Sequence, residues 1–84
     1  MARVIVERNF PAALGQEELS AVEKRMKPCL DLYGVRWIRS YWSSDHRRMI
    51  CEYEAADVAS VRSVQREAGA QFDNAWAAEV LGEE

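Results

Sequence analysis

The segment from Val35 to Ala55 constrains the fold of this chain more than any other. Two runs rich in β-branched and aromatic residues, VRWIRSYW and MICEYEA, flank the polar stretch SSDHRR. The flanking residues favour strands and the polar residues favour turns, so the pattern is typical of two antiparallel strands joined by a short loop. The segment therefore predicts a β-hairpin with its loop near residues 43–47.

An unbroken hairpin register divides the residues of this segment between two sheet faces. It pairs Trp37 with Tyr53, Arg39 with Cys51 and Tyr41 with Met49, and all six side chains then share a mostly large and apolar face. The other face mixes apolar, polar and charged residues: Ile38, Ser40, Trp42, Ile50, Glu52 and Glu54. Since neither face is simply polar, we expect helices against one and a second subunit or a ligand against the other.

The chain before the hairpin predicts a strand followed by a helix. Residues 3–8 form a β-branched run, and Pro11 ends it because proline cannot continue a strand ladder. Apolar residues then recur at three- and four-residue spacings over about residues 16–32, which indicates an amphipathic helix. Pro28 removes one backbone donor inside this helix and should bend or restart it. Gly34 is the expected left-handed residue at its end.

The chain after the hairpin predicts a second helix and a last strand. Asp57 is placed to cap a helix over about residues 58–68, Gly69 ends that helix, and residues 75–81 form a short strand. The order β-α-β-β-α-β is the ferredoxin-like pattern, an α+β fold with a four-stranded antiparallel sheet and two helices on one face. We therefore expect a single ferredoxin-like domain over residues 1–84 that pairs its open sheet face with a second copy, as a homodimer of the dimeric α/β barrel type.

Charge and composition argue against several classes of function. The net charge of −3, from 11 basic and 14 acidic residues, disfavours nucleic-acid binding because phosphate contacts need positive charge. No apolar run approaches the roughly 20 residues that span a bilayer, and no apolar leader follows basic residues at the N-terminus. We expect a cytoplasmic protein with no nucleic-acid or membrane partner. Cys29 and Cys51 lie at apolar positions of predicted elements, so we expect free thiols.

Four motifs occur together in this chain: VIVER at 4–8 with Phe10-Pro11, WIRSY at 37–41, CEYEA at 51–55, and Arg62 followed by Ala68-Gly69. Over about residues 3–81 the combination resembles a bacterial family of small ferredoxin-like domains of unknown function, one type of which is described as nickel-binding. The resemblance implies the ferredoxin-like fold and makes nickel the candidate cofactor. Members typically have a histidine in the second helix where this chain has Val64, so a metal site built on that histidine does not carry over.

The hairpin loop holds the candidate metal ligands, His46 and Asp45. His46 is the sole histidine of the chain, and imidazole and carboxylate both bind divalent ions. A second copy of the chain would have to complete the site, because two ligands are too few for a dedicated one. The alternative is a solvated turn, since Asp and Ser favour turns through local hydrogen bonds.

The predicted hairpin face holds the candidate ligand-binding residues: Trp37, Arg39, Tyr41, Cys51 and Tyr53. An arginine among aromatic side chains needs an acid, a dimer mate or an anionic ligand. Arg39 could meet a carboxylate such as Glu7 or Glu79 in a dimer core. It could instead line a small pocket in which Arg39 or Tyr41 holds a carboxylate or carbonyl group.

Three functions follow from these sites. The leading hypothesis is a non-enzymatic homodimeric binding protein for a divalent metal such as nickel or for a small organic ligand. The alternative is a cofactor-independent dimeric-barrel enzyme, an oxygenase or isomerase acting on a small aromatic or polyketide-like substrate, with Arg39, Tyr41 and Tyr53 lining the site. The third is a structural dimer that serves a larger partner.

Overall fold

The computed structural model describes residues 1–82, which form four strands and two helices. In chain order they are β1 (Ala2–Asn9), α1 (Gln16–Tyr33), β2 (Arg36–Trp42), β3 (Arg48–Ala55), α2 (Val58–Ala68) and β4 (Asn74–Ala78). The strands make one antiparallel sheet in the order β2-β3-β1-β4. The predicted ferredoxin-like α+β fold is confirmed. Within residues 1–82, neither helix is long and apolar enough to cross a bilayer.

The helix ends follow the chemistry that the sequence predicts. The Asp57 carboxylate accepts the backbone N–H of Ser60 at 2.8 Å, so it caps α2 as expected. Gly34 and Gly69 end the two helices with left-handed φ angles of 63° and 67°. α1 continues through Pro28 instead of restarting there. Pro28 lies on the exposed side of the helix, where water can bond the carbonyl group that it leaves unpaired.

The hydrophobic core lies between the sheet and the two helices. β1 contributes Val4 and Val6, and α2 contributes Val61 and Val64, all of them fully buried. The core-facing residues of β3 are Met49, Cys51, Tyr53 and Ala55. Each buried valine contributes on the order of 1.5–3 kcal/mol through removal of apolar surface from water. β4 ends at Ala78, so the predicted strand beyond that residue is wrong.

The hairpin departs from the predicted register at a β-bulge between Trp37 and Arg39. The observed pairs are Trp37–Tyr53, Arg39–Glu52, Ser40–Cys51, Tyr41–Ile50 and Trp42–Met49. A bulge inserts one extra residue into one strand, and the side-chain period of a strand is two, so the residues after it change faces. Arg39 and Tyr41 therefore lie on the open face of the sheet. The predictions that Arg39 faces Cys51 and that Tyr41 faces Met49 are wrong.

Replacing Val64 with alanine tests the assignment of this residue to the core. Because the side chain is fully buried, we expect Val64→Ala to lower the free energy of unfolding by about 2 kcal/mol, measured by urea denaturation. Leu32→Ala, at a position of α1 that is 72% exposed, is the control and should change that free energy by no more than about 0.5 kcal/mol. Equal effects of the two substitutions would contradict the packing described above.

Candidate functional site

The open face of the sheet carries a groove of about 480 Å³. Its floor and walls are formed by side chains from all four strands: Arg3, Ile5, Arg39, Tyr41, Glu52 and Trp76. Residues 77–81 line one edge. The volume falls in the range of roughly 300–1,000 Å³ that is usual for small-molecule sites, so this surface is the first candidate for ligand binding.

The centre of the groove is an ion-paired group built on Glu52. Its carboxylate lies 2.9 Å from Nη1 of Arg3 and 3.7 Å from Nε of Arg39. Among residues 1–82, Arg39 pairs with Glu52. The predicted pairing with Glu7 or Glu79 concerned a dimer core and stays a prediction. Arg3 comes from β1, Arg39 from β2 and Glu52 from β3, so the group depends on the sheet being assembled.

Two aromatic side chains flank this charged centre. Tyr41 is 54% exposed and Trp76 is 46% exposed. The indole Nε1 of Trp76 donates a hydrogen bond of 2.9 Å to Oε2 of Glu7, which fixes the ring on the open face. Large aromatic surfaces gathered on one sheet face are typical of a surface that a ligand or another protein covers.

The other predicted ligand residues lie on the opposite side of the sheet. Cys51 and Tyr53 point into the core, and Trp37, opposite Tyr53, donates from Nε1 to Oγ of Ser40 at 3.0 Å. The prediction that these residues share a face with Arg39 is therefore wrong. The bulge therefore divides the predicted ligand residues between the two faces of the sheet, so these residues form two separate surfaces.

Cys51 and Tyr53 belong to a buried polar cluster around Arg8, which is only 6% exposed. Nη2 of Arg8 donates to Oε1 of Gln65 at 2.8 Å and to the hydroxyl of Tyr53 at 3.1 Å, and it lies 3.7 Å from Sγ of Cys51. Nη1 donates to the carbonyl oxygen of Gln71 at 3.1 Å. One guanidinium on β1 thus contacts β3, α2 and the segment after α2.

The electrostatics of the cluster keep Tyr53 neutral. Burial, reinforced by the neighbouring Cys51 and opposed by Arg8 and Gln65, raises the pKa of Tyr53 from 10.0 to about 12. The Tyr53 hydroxyl also lies 3.4 Å from Sδ of Met26. A guanidinium stays charged at all ordinary pH values, and the hydrogen-bond partners of Arg8 in residues 1–82 include no carboxylate.

Arg8 and Gln65 are not among the predicted site residues, although the sequence carries a detectable signal for each. Arg8 continues the alternation of Val4 and Val6, so it has the core-facing phase of β1. Gln65 follows Val61 by four residues and so shares its helix face. Both residues occupy positions where an apolar side chain is the usual choice, and that mismatch is the signal.

The hairpin loop holds the predicted metal ligands in an exposed turn. The Asp45 carboxylate accepts from the Ser43 hydroxyl at 2.7 Å and from the Arg47 backbone N–H at 3.1 Å, and these hydrogen bonds lower the pKa of Asp45. The His46 ring stacks on Trp42 with centroids 3.7 Å apart. The part of the chain that the structure describes contains no group of three or more His, Cys, Asp or Glu side chains placed to hold a metal.

The fold and these surfaces define a small ferredoxin-like protein with one open sheet face. Residues 5–77 match the family described as nickel responsive protein SCO4226-like, and the chain belongs to that family. The crystal structure of SCO4226 from Streptomyces coelicolor A3(2) is similar, with a TM-score of 0.84 at 12% identity over 96% of this chain and 100% of that chain. At that identity the likeness concerns the fold. No curated protein matches the chain.

The raised pKa of Tyr53 predicts a stability loss at alkaline pH. With a pKa of about 12 in the folded state and 10.0 in the unfolded state, the unfolded chain releases its proton first. The contribution of the protonated Tyr53 hydroxyl to the stability of the fold is therefore complete below pH 10.0 and is lost as the pH rises toward about 12. We expect the stability of Tyr53→Phe, from urea unfolding at several pH values, to fall less steeply over this interval than that of the wild type. Parallel curves would show that the Tyr53 hydroxyl is not buried as described.

Proposed function

We propose that this chain is a non-enzymatic cytoplasmic binding protein that works as a homodimer through the open face of its sheet. The observation that supports this most directly is the groove, in which an ion-paired centre at Glu52 lies between Tyr41 and Trp76 on the face that no helix of the described chain covers. A two-fold axis through this face would stack two sheets and enclose two grooves between them. The two free cysteines, Cys29 and Cys51, agree with a reducing compartment.

The groove suits a small organic ligand with a planar apolar part and a carbonyl or carboxylate group. The rings of Tyr41 and Trp76 offer flat apolar surface, and an arginine beside them can orient an oxygen-bearing group. Arg39 is the better placed of the two arginines to do so, because it is more exposed than Arg3. The enzymatic alternative required Tyr53 beside Arg39 and Tyr41, and Tyr53 lies on the other side of the sheet.

The description of the family as nickel responsive favours a second candidate, a nickel ion at Asp45 and His46. The hydrogen bonds to Asp45 favour its ionised form, and imidazole is a common ligand for such ions. One chain supplies two ligands there, so donors from a second copy have to complete the coordination. Val64, where the resemblance to this family implies a histidine, is buried in the core and contributes nothing to such a site.

The oligomeric state tests the role of the open face. We expect native mass spectrometry to show a dimer for the wild type and a monomer for Trp76→Glu, because the new carboxylate would be buried without a partner in the interface. Trp37→Glu is the matched control, since Trp37 is 51% exposed but lies on the helix side of the sheet. That variant should remain a dimer. A monomeric wild type, or a dimer that tolerates Trp76→Glu, would refute the proposed interface.

Nickel uptake separates the two candidate ligands. We expect the dimer, analysed by native mass spectrometry after dialysis against nickel, to gain whole numbers of ions, and His46→Ala to lose them because the sole imidazole is gone. Dialysis against magnesium is the control for unspecific adducts. Uptake that His46→Ala leaves unchanged would reject the loop site. A dimer that ignores nickel but has an organic molecule bound would favour the groove, and Arg39→Met should then abolish that binding without unfolding the chain.

A further inference from the structure

The groove on the open face has charged side chains of both signs, and its central pair is closely bound. Nη1 of Arg3 lies 2.9 Å from Oε2 of Glu52, and these two side chains are only 15% and 14% exposed. Arg39 lies farther from the same carboxylate, at 3.7 Å, and its side chain is 37% exposed. Because a guanidinium has five N–H donors, Arg39 can bind a further oxygen group from a ligand in the groove.

Glu79 is the second carboxylate of the groove, and it lies at the opposite edge from Arg39. Glu79 is exposed and follows β4 by one residue, whereas Arg39 is on β2. β2 and β4 are the outer strands of the sheet, so three strand spacings, about 14 Å, separate their backbones. Within residues 1–82, no basic side chain forms an ion pair with Glu79. The groove therefore has a cationic group at one edge and a carboxylate at the other.

Closure of the groove by a second copy would remove water from both edges. An enclosed charge is costly unless an opposite charge takes the place of the water. A ligand with a carboxylate alone would pair with Arg39 and leave Glu79 without compensation. The groove lining has two arginines and two glutamates, so a ligand with one charge of each sign leaves this balance undisturbed.

The surface between the two edges suits a ring. Ile5 and Trp76 lie directly opposite each other on β1 and β4, and Tyr41 follows Arg39 by two residues on β2. Their side chains all line the groove and offer apolar and aromatic surface. The reach of the Arg39 and Glu79 side chains shortens the span between the edges, which leaves room for one ring with a charged group at each end.

We propose that the groove binds an aromatic zwitterion, a ring with a carboxylate at one end and an amine at the other. Arg39 pairs with the carboxylate, Glu79 pairs with the amine, and the ring lies between them. This inference rests on the proposed ligand site in the groove and narrows the class of its ligand. The span between the two edges does not suit an α-amino acid, in which both charges are at the same end of the molecule.

The experiment compares three probes of similar shape by isothermal titration calorimetry with the wild-type protein at neutral pH. The probe para-(aminomethyl)benzoate has both charges, para-methylbenzoate has only the carboxylate, and para-methylbenzylamine has only the amine. We expect the zwitterion to bind about tenfold more tightly than either singly charged probe. Equal affinities for the zwitterion and para-methylbenzoate would overturn this inference and leave the proposed carboxylate site intact. Failure of all three probes to bind at millimolar concentration would reject the ligand groove itself.

Two variants test which side chain binds each end. Glu79→Gln should lower the affinity for the zwitterion about tenfold and leave that for para-methylbenzoate unchanged. Arg39→Gln should weaken the binding of both carboxylate probes and leave that of para-methylbenzylamine unchanged. The control is Glu23→Gln, at an exposed position of α1, which should change none of the three affinities. An unchanged affinity of Glu79→Gln for the zwitterion would overturn the inference.

The oligomeric state of Glu79→Gln separates a ligand contact from a contact between copies. We expect native mass spectrometry to show the same dimer for Glu79→Gln as for the wild type, because the partner of Glu79 is the ligand. A wild-type dimer that Glu79→Gln dissociates would show that Glu79 pairs with a basic residue of the second copy. That result would overturn the zwitterion and leave the proposed homodimer in place.

Discussion

The buried guanidinium of Arg8 links the parts of this fold that are far apart in sequence. Its partners lie on β3, on α2 and in the segment that leads to β4. A buried charge that loses its hydrogen bonds costs several kcal/mol, so these segments have to be in place together. A slip of one residue in β1 would move Arg8 to the open face and bring Glu7 into the core, against the same helices. The cluster thus disfavours a slip in the register of β1 against its neighbours.

The β-bulge in β2 is best understood from the position of Arg8. In the unbroken register, Arg39 would lie opposite Cys51, on the core side and next to the sulfur that Arg8 already contacts. Two guanidinium groups would then share one buried space, in which the described residues place no carboxylate. The bulge places Arg39 opposite Glu52 on the other face, where the two form an ion pair. One irregular residue therefore separates a positive core cluster from a charge-paired groove.

The sequence was sufficient for the order and ends of the elements because those features depend on local chemistry. Asp57 caps α2, and Gly34 and Gly69 end the helices, each through bonds within a few residues. No local pattern around Ile38 marks the bulge, and the carboxylate that Arg39 meets as a result lies on another strand. The groove was only partly predictable for the same reason.

Within the groove, Arg39 and Tyr41 were identifiable from the hairpin alone. Arg3, Glu52 and Trp76 meet them only when four strands assemble, and Arg8 and Gln65 become neighbours only when α2 packs on the sheet. Local patterns find single members of a site, whereas the partners that decide its chemistry come from elsewhere in the chain.

The proposed homodimer and the proposed nickel ion would be physically linked in this chain. The described residues offer no cluster of three metal ligands, so a nickel ion bound at Asp45 and His46 would need further donors, which a second copy could supply. A ligand shared between two copies binds the dimer and not the monomer, and mass action then makes each stabilise the other. The same reasoning applies to an organic ligand enclosed between two open faces. Under either proposal the single chain would be half of the binding unit, and the partner copy would close the open side of the groove.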